Sequence, residues 1–239
     1  LSADPDYDGA PASEEDTMGE FVRLTASDGH AFDAYRAEPA GARKGGVVVI
    51  QEIFGINGHI RDVADGYAAQ GYAAIAPALF DRERTGVELD YNAEGIEQGR
   101  ALATAIGWDL PMLDIEAAAK SLDAAGRVGV VGYCWGGSWT YLAGSRLEVG
   151  CASCYYGRHI VELLDDRPRV PMILHFGADD ASIPPETVEA VRAALPDIPI
   201  HVYAGAGHGF NCDRRPDYRA DSAALALERT LALFAEHLR

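Results

Sequence analysis

The sequence predicts an α/β fold: a mostly parallel central sheet, opened by an antiparallel hairpin and covered by helices on both faces. Three observations predict it. Strand-like and helix-like stretches alternate along most of the 239 residues, the pattern that βαβ units leave in a sequence. Strand stretches such as Val47-Val48-Val49-Ile50 are continuously apolar, as expected where both faces of a strand are covered. Near the start, by contrast, two alternating segments flank a tight-turn dipeptide, which marks a hairpin.

Each element follows in order. Residues 1–19 are acidic and rich in Pro, Ser, Asp and Gly, with little to bury, so a flexible arm is expected there. Residues 20–239 then read as a single domain, without repeat or low-complexity tract. Phe21–Ala26 and Ala31–Arg36 alternate around Asp28-Gly29 as the hairpin. Gly46–Ile50 is a covered strand, His59–Gln70 has helical periodicity, and Tyr72–Pro77 is the next strand. Asp90–Ala125 carries two helical patterns, the second starting at Pro111. Val128–Val131, Cys151–Tyr155, Met172–Phe176 and Pro199–Tyr203 are further strands. The intervening helices follow Cys134 and span Pro185–Leu195, and an apolar-striped helix, Tyr218–His237, closes the chain.

Bulk properties exclude several functions. A formal net charge of −17 repels nucleic acid and anionic membranes, so neither is an expected partner. No apolar run is long enough to cross a bilayer, and the opening residues lack the basic-then-apolar pattern of a signal peptide. Four cysteines are too few for a disulfide framework in a chain this long, and a cytoplasmic location is expected. Cys151 and Cys154 form a C-x-x-C, but on a strand rather than at a helix start, so two small buried residues are expected there instead of a redox pair. No H-E-x-x-H or equivalent ligand spacing appears, and neither a metal nor a cofactor is expected. A monomer or small homo-oligomer is expected.

The chemistry centres on Gly132-Tyr133-Cys134-Trp135-Gly136, between an apolar strand and a helix. That context makes a G-x-nucleophile-x-G turn credible, with cysteine as the nucleophile. The glycines remove β-carbons at a strained, crowded turn. The following helix aims its free N–H groups at the sulfur, which favours thiolate. In such sheets reactive groups gather at the carboxyl ends of strands, with the acid preceding the histidine in chain order. Two later strand ends supply them: Asp179-Asp180 after Phe176, and His208 after Tyr203. An imidazole is needed to ionise a thiol, and a carboxylate to orient the imidazole. His175 and His201 lie inside strands, His30 in the hairpin turn, and His59, His159 and His237 at no matching strand end.

Cys134 in GYCWGG, Asp180 in HFGADDASIP, His208 in GAGHGF and the segment Gln51-Glu52-Ile53-Phe54-Gly55 together resemble the dienelactone hydrolases, a branch of the α/β-hydrolase fold. The resemblance runs from about residue 20 to the closing helix. It implies a Cys134–Asp180–His208 triad, with Asp179 as the alternative acid if the turn shifts by one. It implies that Glu52 is a second proton acceptor in contact with the cysteine, and that the substrate is a small lactone or ester. The backbone N–H groups of Ile53 and Trp135 are the natural oxyanion donors. Trp135 is bulky for its position and is expected to narrow the acyl pocket. Family substrates are unsaturated lactones bearing a carboxylate, which arginines grip. Arg82 stands where one such arginine is expected. Cys212 occupies the usual place of the other, with Arg214 and Arg215 just downstream; either Arg214 or Arg215 reaches in, or the anionic handle is gone and a neutral ester or lactone is the substrate instead. Tyr133, Phe54 and Phe210, beside the matched motifs, are expected to line the substrate pocket.

Overall fold

The computed structural model describes residues 19–122 and 127–238. The arm expected over residues 1–19 lies outside them except for Gly19, which begins the first strand. The strands are β1 (Gly19–Thr25), β2 (Ala31–Ala37), β3 (Gly46–Ile50), β4 (Ala73–Pro77), β5 (Val128–Tyr133), β6 (Cys151–Tyr155), β7 (Met172–Gly177) and β8 (Ile200–Tyr203). The helices are α1 (Gly58–Ala69), α2 (Ala93–Ile106), α3 (Leu110–Ser121), α4 (Trp135–Arg146), α5 (Pro185–Ala194) and α6 (Ala220–His237).

These strands form one eight-stranded sheet in the order β1-β2-β4-β3-β5-β6-β7-β8. The hairpin pairs antiparallel, from Gly19 opposite Ala37 to Thr25 opposite Ala31, and β2 runs antiparallel to β4. All pairings from β4 through β8 are parallel. The mostly parallel sheet with an antiparallel start therefore matches the sequence prediction. Every residue of β3 and β5 is buried, and alternation along β3 separates two cores. Val47 and Val49 pack with Ile60 and Tyr67 of α1 and Phe234 of α6. Val48 and Ile50 pack with Ile115 of α3 and with Trp139 and Leu142 of α4. Helices on both faces are what make these strands apolar throughout.

Element ends differ from the sequence reading where a cap decides them. The first helix starts before His59 because the Asn57 side chain accepts the Ile60 N–H at 3.3 Å, a favourable N-cap. Likewise α4 begins at Trp135, immediately after the predicted nucleophile, so its free N–H groups sit next to Cys134. In the Asp90–Ala125 segment Leu122 caps the end of α3, and residues 123–126 fall outside the described residues.

Candidate active site

At the carboxyl edge of the central strands, Cys134 joins β5 to α4 with φ 56° and ψ −117°, in a region side chains rarely adopt. Its N–H donates to the Tyr155 carbonyl at 3.0 Å. Such a tight turn leaves no room beside it. A β-carbon on Gly132 would lie 2.2 Å from the Gly136 carbonyl oxygen, and one on Gly136 would lie 2.4 Å from the oxygens of Ile50 and Gln51. Glycine is needed at both positions for close approach of backbone to backbone.

The loops after β7 and β8 bring up two partners. Nε2 of His208 lies 3.1 Å from Cys134 Sγ, and Nδ1 lies 2.7 Å from Asp180 Oδ2. The second oxygen of Asp180 accepts the Ser182 N–H at 2.7 Å, so the carboxylate cannot swing away from the ring. Asp180 is buried, whereas Asp179 is exposed and does not meet the ring. Burial opposes charge on His208, but the Cys134 sulfur and the Asp180 carboxylate outweigh it and push the ring up to about 10. Partners of this kind on both ring nitrogens favour the protonated imidazole. The ring of Tyr156, itself at φ 38°, lies 5.2 Å from the His208 ring.

Glu52 leaves β3 into full burial. A buried carboxylate needs partners, and it has two: the Tyr91 hydroxyl donates to Oε2 at 3.0 Å and Arg215 Nη1 donates to Oε1 at 3.4 Å. The contact with cysteine implied by the family resemblance is thus replaced, and His208 is the group on the sulfur. Arg215 also lies over the rings of Phe54 and Tyr91, at 6.0 and 5.8 Å. Beside Glu52, Gln51 closes the loop, its amide oxygen accepting the Leu79 N–H at 3.2 Å.

Cys134 and His208 open into a cavity of about 760 Å³ that also takes in Ile53, Phe54, Trp135 and Arg215. Both residues whose N–H groups are the expected oxyanion donors therefore line the same cavity as the sulfur. Most of Trp135 is turned away from the cavity: it is 5% exposed and stacks on Phe80 at 5.3 Å. The far wall carries Trp108, Arg100 and Arg158.

Four expected pocket residues lie elsewhere. Arg82 is turned inward, where it binds Asp114 at 2.7 Å and Asp28 at 2.8 Å; the two carboxylates hold it away from the cavity. Arg214 pairs with Asp62 beside Gly58, and its neighbour Arg215 is the one that reaches in. Tyr133 is buried against Tyr67, their hydroxyls 3.3 Å apart. Phe210 is buried among Tyr155, Tyr156 and Tyr203. Strand-end reasoning does not reach Tyr91, Arg100 or Trp108, which arrive from loops and helices between strands, whereas Arg158 stands just beyond the end of β6 and was missed there. The one local sign was the break at Gly107-Trp108 between α2 and α3. Cys151 and Cys154 are free and buried in β6, with burial pushing the Cys151 thiol up to about 12, as expected of inert core residues.

Residues 32–238 match the sequence model of the dienelactone hydrolase family. A "Putative carboxymethylenebutenolidase" of Synechocystis is 37% identical over 225 residues, covering 86% of this chain and 92% of that protein. The carboxymethylenebutenolidase of Pseudomonas putida is 34% identical over 228 residues, covering 91% of this chain and 97% of its own. Among solved structures, a "Putative Dienelactone Hydrolase" from Klebsiella pneumoniae subsp. pneumoniae superposes with a TM-score of 0.78 at 32% identity, over 91% of this chain and 100% of that one. Among the described residues, no helix is long and apolar enough to cross a membrane.

Proposed function

The chain belongs to the dienelactone hydrolase family, and from that premise we propose that it hydrolyses a lactone or small ester through a Cys134 thioester. The observation that carries this reading is the sulfur within 3.1 Å of an imidazole whose other nitrogen is 2.7 Å from a buried carboxylate. In the first step the Cys134 thiolate attacks the substrate carbonyl carbon, a C–S bond forms, and the carbonyl oxygen becomes an oxyanion. The N–H groups of Ile53 and Trp135 receive it; donors of this kind are typically worth about 2.7–4 kcal/mol each. Collapse breaks the carbon–oxygen bond and expels an alkoxide or enolate, which takes the His208 proton and leaves the ring neutral. His208 then deprotonates water, the hydroxide attacks the thioester, and the sulfur leaves as thiolate with the carboxylic acid released. Asp180 holds the ring in the tautomer and orientation that both steps require.

The wall of the cavity suggests what the substrate carries. Part of the Arg215 charge is spent on Glu52, but Arg100 and Arg158 make no ion pair among the described residues. A guanidinium fork suits a carboxylate, so the reading favours an unsaturated lactone or ester with an anionic group directed toward Arg158 and its reactive carbonyl at Cys134. Cys212 in place of an arginine, and the inward turn of Arg82, favour a second reading: an esterase for neutral substrates on the same machinery. Expected results separate them. Cys134→Ala abolishes hydrolysis, a loss of about four orders of magnitude or more, and iodoacetamide inactivates the protein at that one thiol. A carboxylated enol-lactone is preferred over its methyl ester, and the preference shrinks in Arg158→Ala. Equal rates for acid and ester would support the neutral-ester reading, and full activity of Cys134→Ala would end both.

A further inference from the structure

The cavity at Cys134 is larger than a small lactone needs. Its volume of about 760 Å³ falls in the upper part of the range, about 300–1,000 Å³, that holds drug-sized ligands. It reaches from the sulfur to a wall made by Arg100, Trp108, Arg158 and His159. Three segments build that wall: α2, the break between α2 and α3, and the turn after β6.

Close backbone packing fixes each of them. A β-carbon on Gly99 would lie 2.0 Å from the Ile53 carbonyl oxygen, so α2 rests directly on the loop that carries Ile53, and Arg100 comes next in the chain. Gly107 ends α2 at φ 64°, a left-handed conformation that suits glycine, and Trp108 follows at once. A β-carbon on Gly157 would lie 2.9 Å from the backbone of Gly137. The His159 N–H donates to the Ser138 hydroxyl at 3.1 Å. Together these contacts pin the turn that bears Arg158 to the first turn of α4.

Trp108 is braced rather than loose. Its ring lies 4.9 Å from the buried ring of Trp139 and 6.4 Å from that of Trp135, and it meets His159 edge-on at 5.3 Å. Half-buried on these neighbours, it still lines the cavity. An aromatic surface held in place in this way takes a planar group with little loss of side-chain freedom. Hydrolysis at Cys134 gives it no task. Acidic residues outnumber basic ones 37 to 20, and Arg61, Arg146 and Arg192 all have carboxylate partners. Arg100 and Arg158 nevertheless carry their forks to this wall without one, and a guanidinium fork suits a carboxylate.

Resting on the hydrolytic reading above, we infer that the substrate is elongated and aromatic. Its reacting carbonyl sits at Cys134, a planar ring lies on Trp108, and a carboxylate on that ring is taken by Arg100 and Arg158. The substrate class is an ester or lactone of an aryl carboxylate, and Trp108 is the residue that selects the ring.

Two matched pairs of esters test this, each keeping the carboxylate and exchanging ring for chain. On the acid side, the vinyl ester of p-carboxyhydrocinnamic acid is compared with monovinyl adipate. On the alcohol side, p-(acetoxymethyl)benzoate is compared with δ-acetoxyvalerate. In at least one pair the ring-bearing member is expected to have the higher kcat/KM, by about three- to tenfold, expressed mainly in KM. In Trp108→Ala the two members become equal, whereas Trp108→Phe, which restores a ring, keeps most of the preference. Circular dichroism confirms that each variant is folded. Vinyl acetate, with neither ring nor carboxylate, reports the Cys134 chemistry separately. If wild type hydrolyses none of these esters, the hydrolytic reading fails, and calorimetry on Cys134→Ala then decides the subsite. There p-carboxyhydrocinnamate is expected to bind more tightly than adipate, and adding Trp108→Ala removes the difference. Equal rates within both pairs in an active wild type, a ring preference that survives in folded Trp108→Ala, or equal binding of the two diacids where turnover is absent would overturn the inference.

Discussion

At the scale of single residues, the Cys134 sulfur and the Asp180 carboxylate hold a proton on His208. Its folded value near 10 lies above the ordinary 6.5. Between those values the folded chain binds more protons than the unfolded one, so stability falls as pH rises through that window. The stabilisation is complete below about 6.5 and lost above about 10. Activity follows the same proton. kcat/KM is expected to decline as pH passes about 10, because the imidazolium that faces the sulfur and serves the leaving group is gone. In Asp180→Asn the alkaline limb moves to lower pH, kcat drops by about 10³–10⁴-fold, and the slope of stability against pH flattens. Rate profiles and urea melts from neutral to alkaline pH check all three. An unmoved limb would show that Asp180 does not support the charge.

At the scale of elements, the side chain expected to hold substrate turns out to hold the scaffold. Arg82 follows β4 and joins the β1–β2 turn through Asp28 to α3 through Asp114. Asp114 is fully buried, and burial pushes its carboxyl up despite the guanidinium beside it. Removing one partner of such a pair strands the other, at a typical cost of about 3–5 kcal/mol. Arg82→Ala is therefore expected to lower stability by about that much in chemical denaturation, while leaving the discrimination between a carboxylated lactone and its methyl ester intact. Loss of discrimination without loss of stability would return Arg82 to the pocket. The sequence could not announce this clasp. The partners stand 32 and 54 residues from Arg82, and no local periodicity encodes such a pairing. The elbow, by contrast, was legible, since two glycines around a cysteine after an apolar strand leave few ways to fold. Covered strands such as β3 and β5 were legible for the same reason: only burial on both faces explains an unbroken apolar run. The far wall of the cavity was not, because which faces of α2 and the α2–α3 break look inward depends on how they dock, not on their own pattern.

For the whole molecule, charge is the property that length and composition expose most directly. A net −17 over 239 residues repels itself in the compact state, and salt screens that repulsion over about 10 Å at 0.1 M. The thermal midpoint is expected to rise when NaCl is increased from about 0.01 to about 0.1 M, as calorimetry can show; a flat response would mean that the acidic groups are already compensated locally. A different constraint comes from the backbone at Cys134. Its left-handed dihedral burdens the native state by about 1–3 kcal/mol, whichever side chain is mounted there, unless that residue is glycine. Cys134→Gly is accordingly expected to melt at a higher temperature than the wild type and to turn over nothing. Heat tolerance and reactivity compete for a single position, and natural selection has left this protein less sturdy than its own architecture allows.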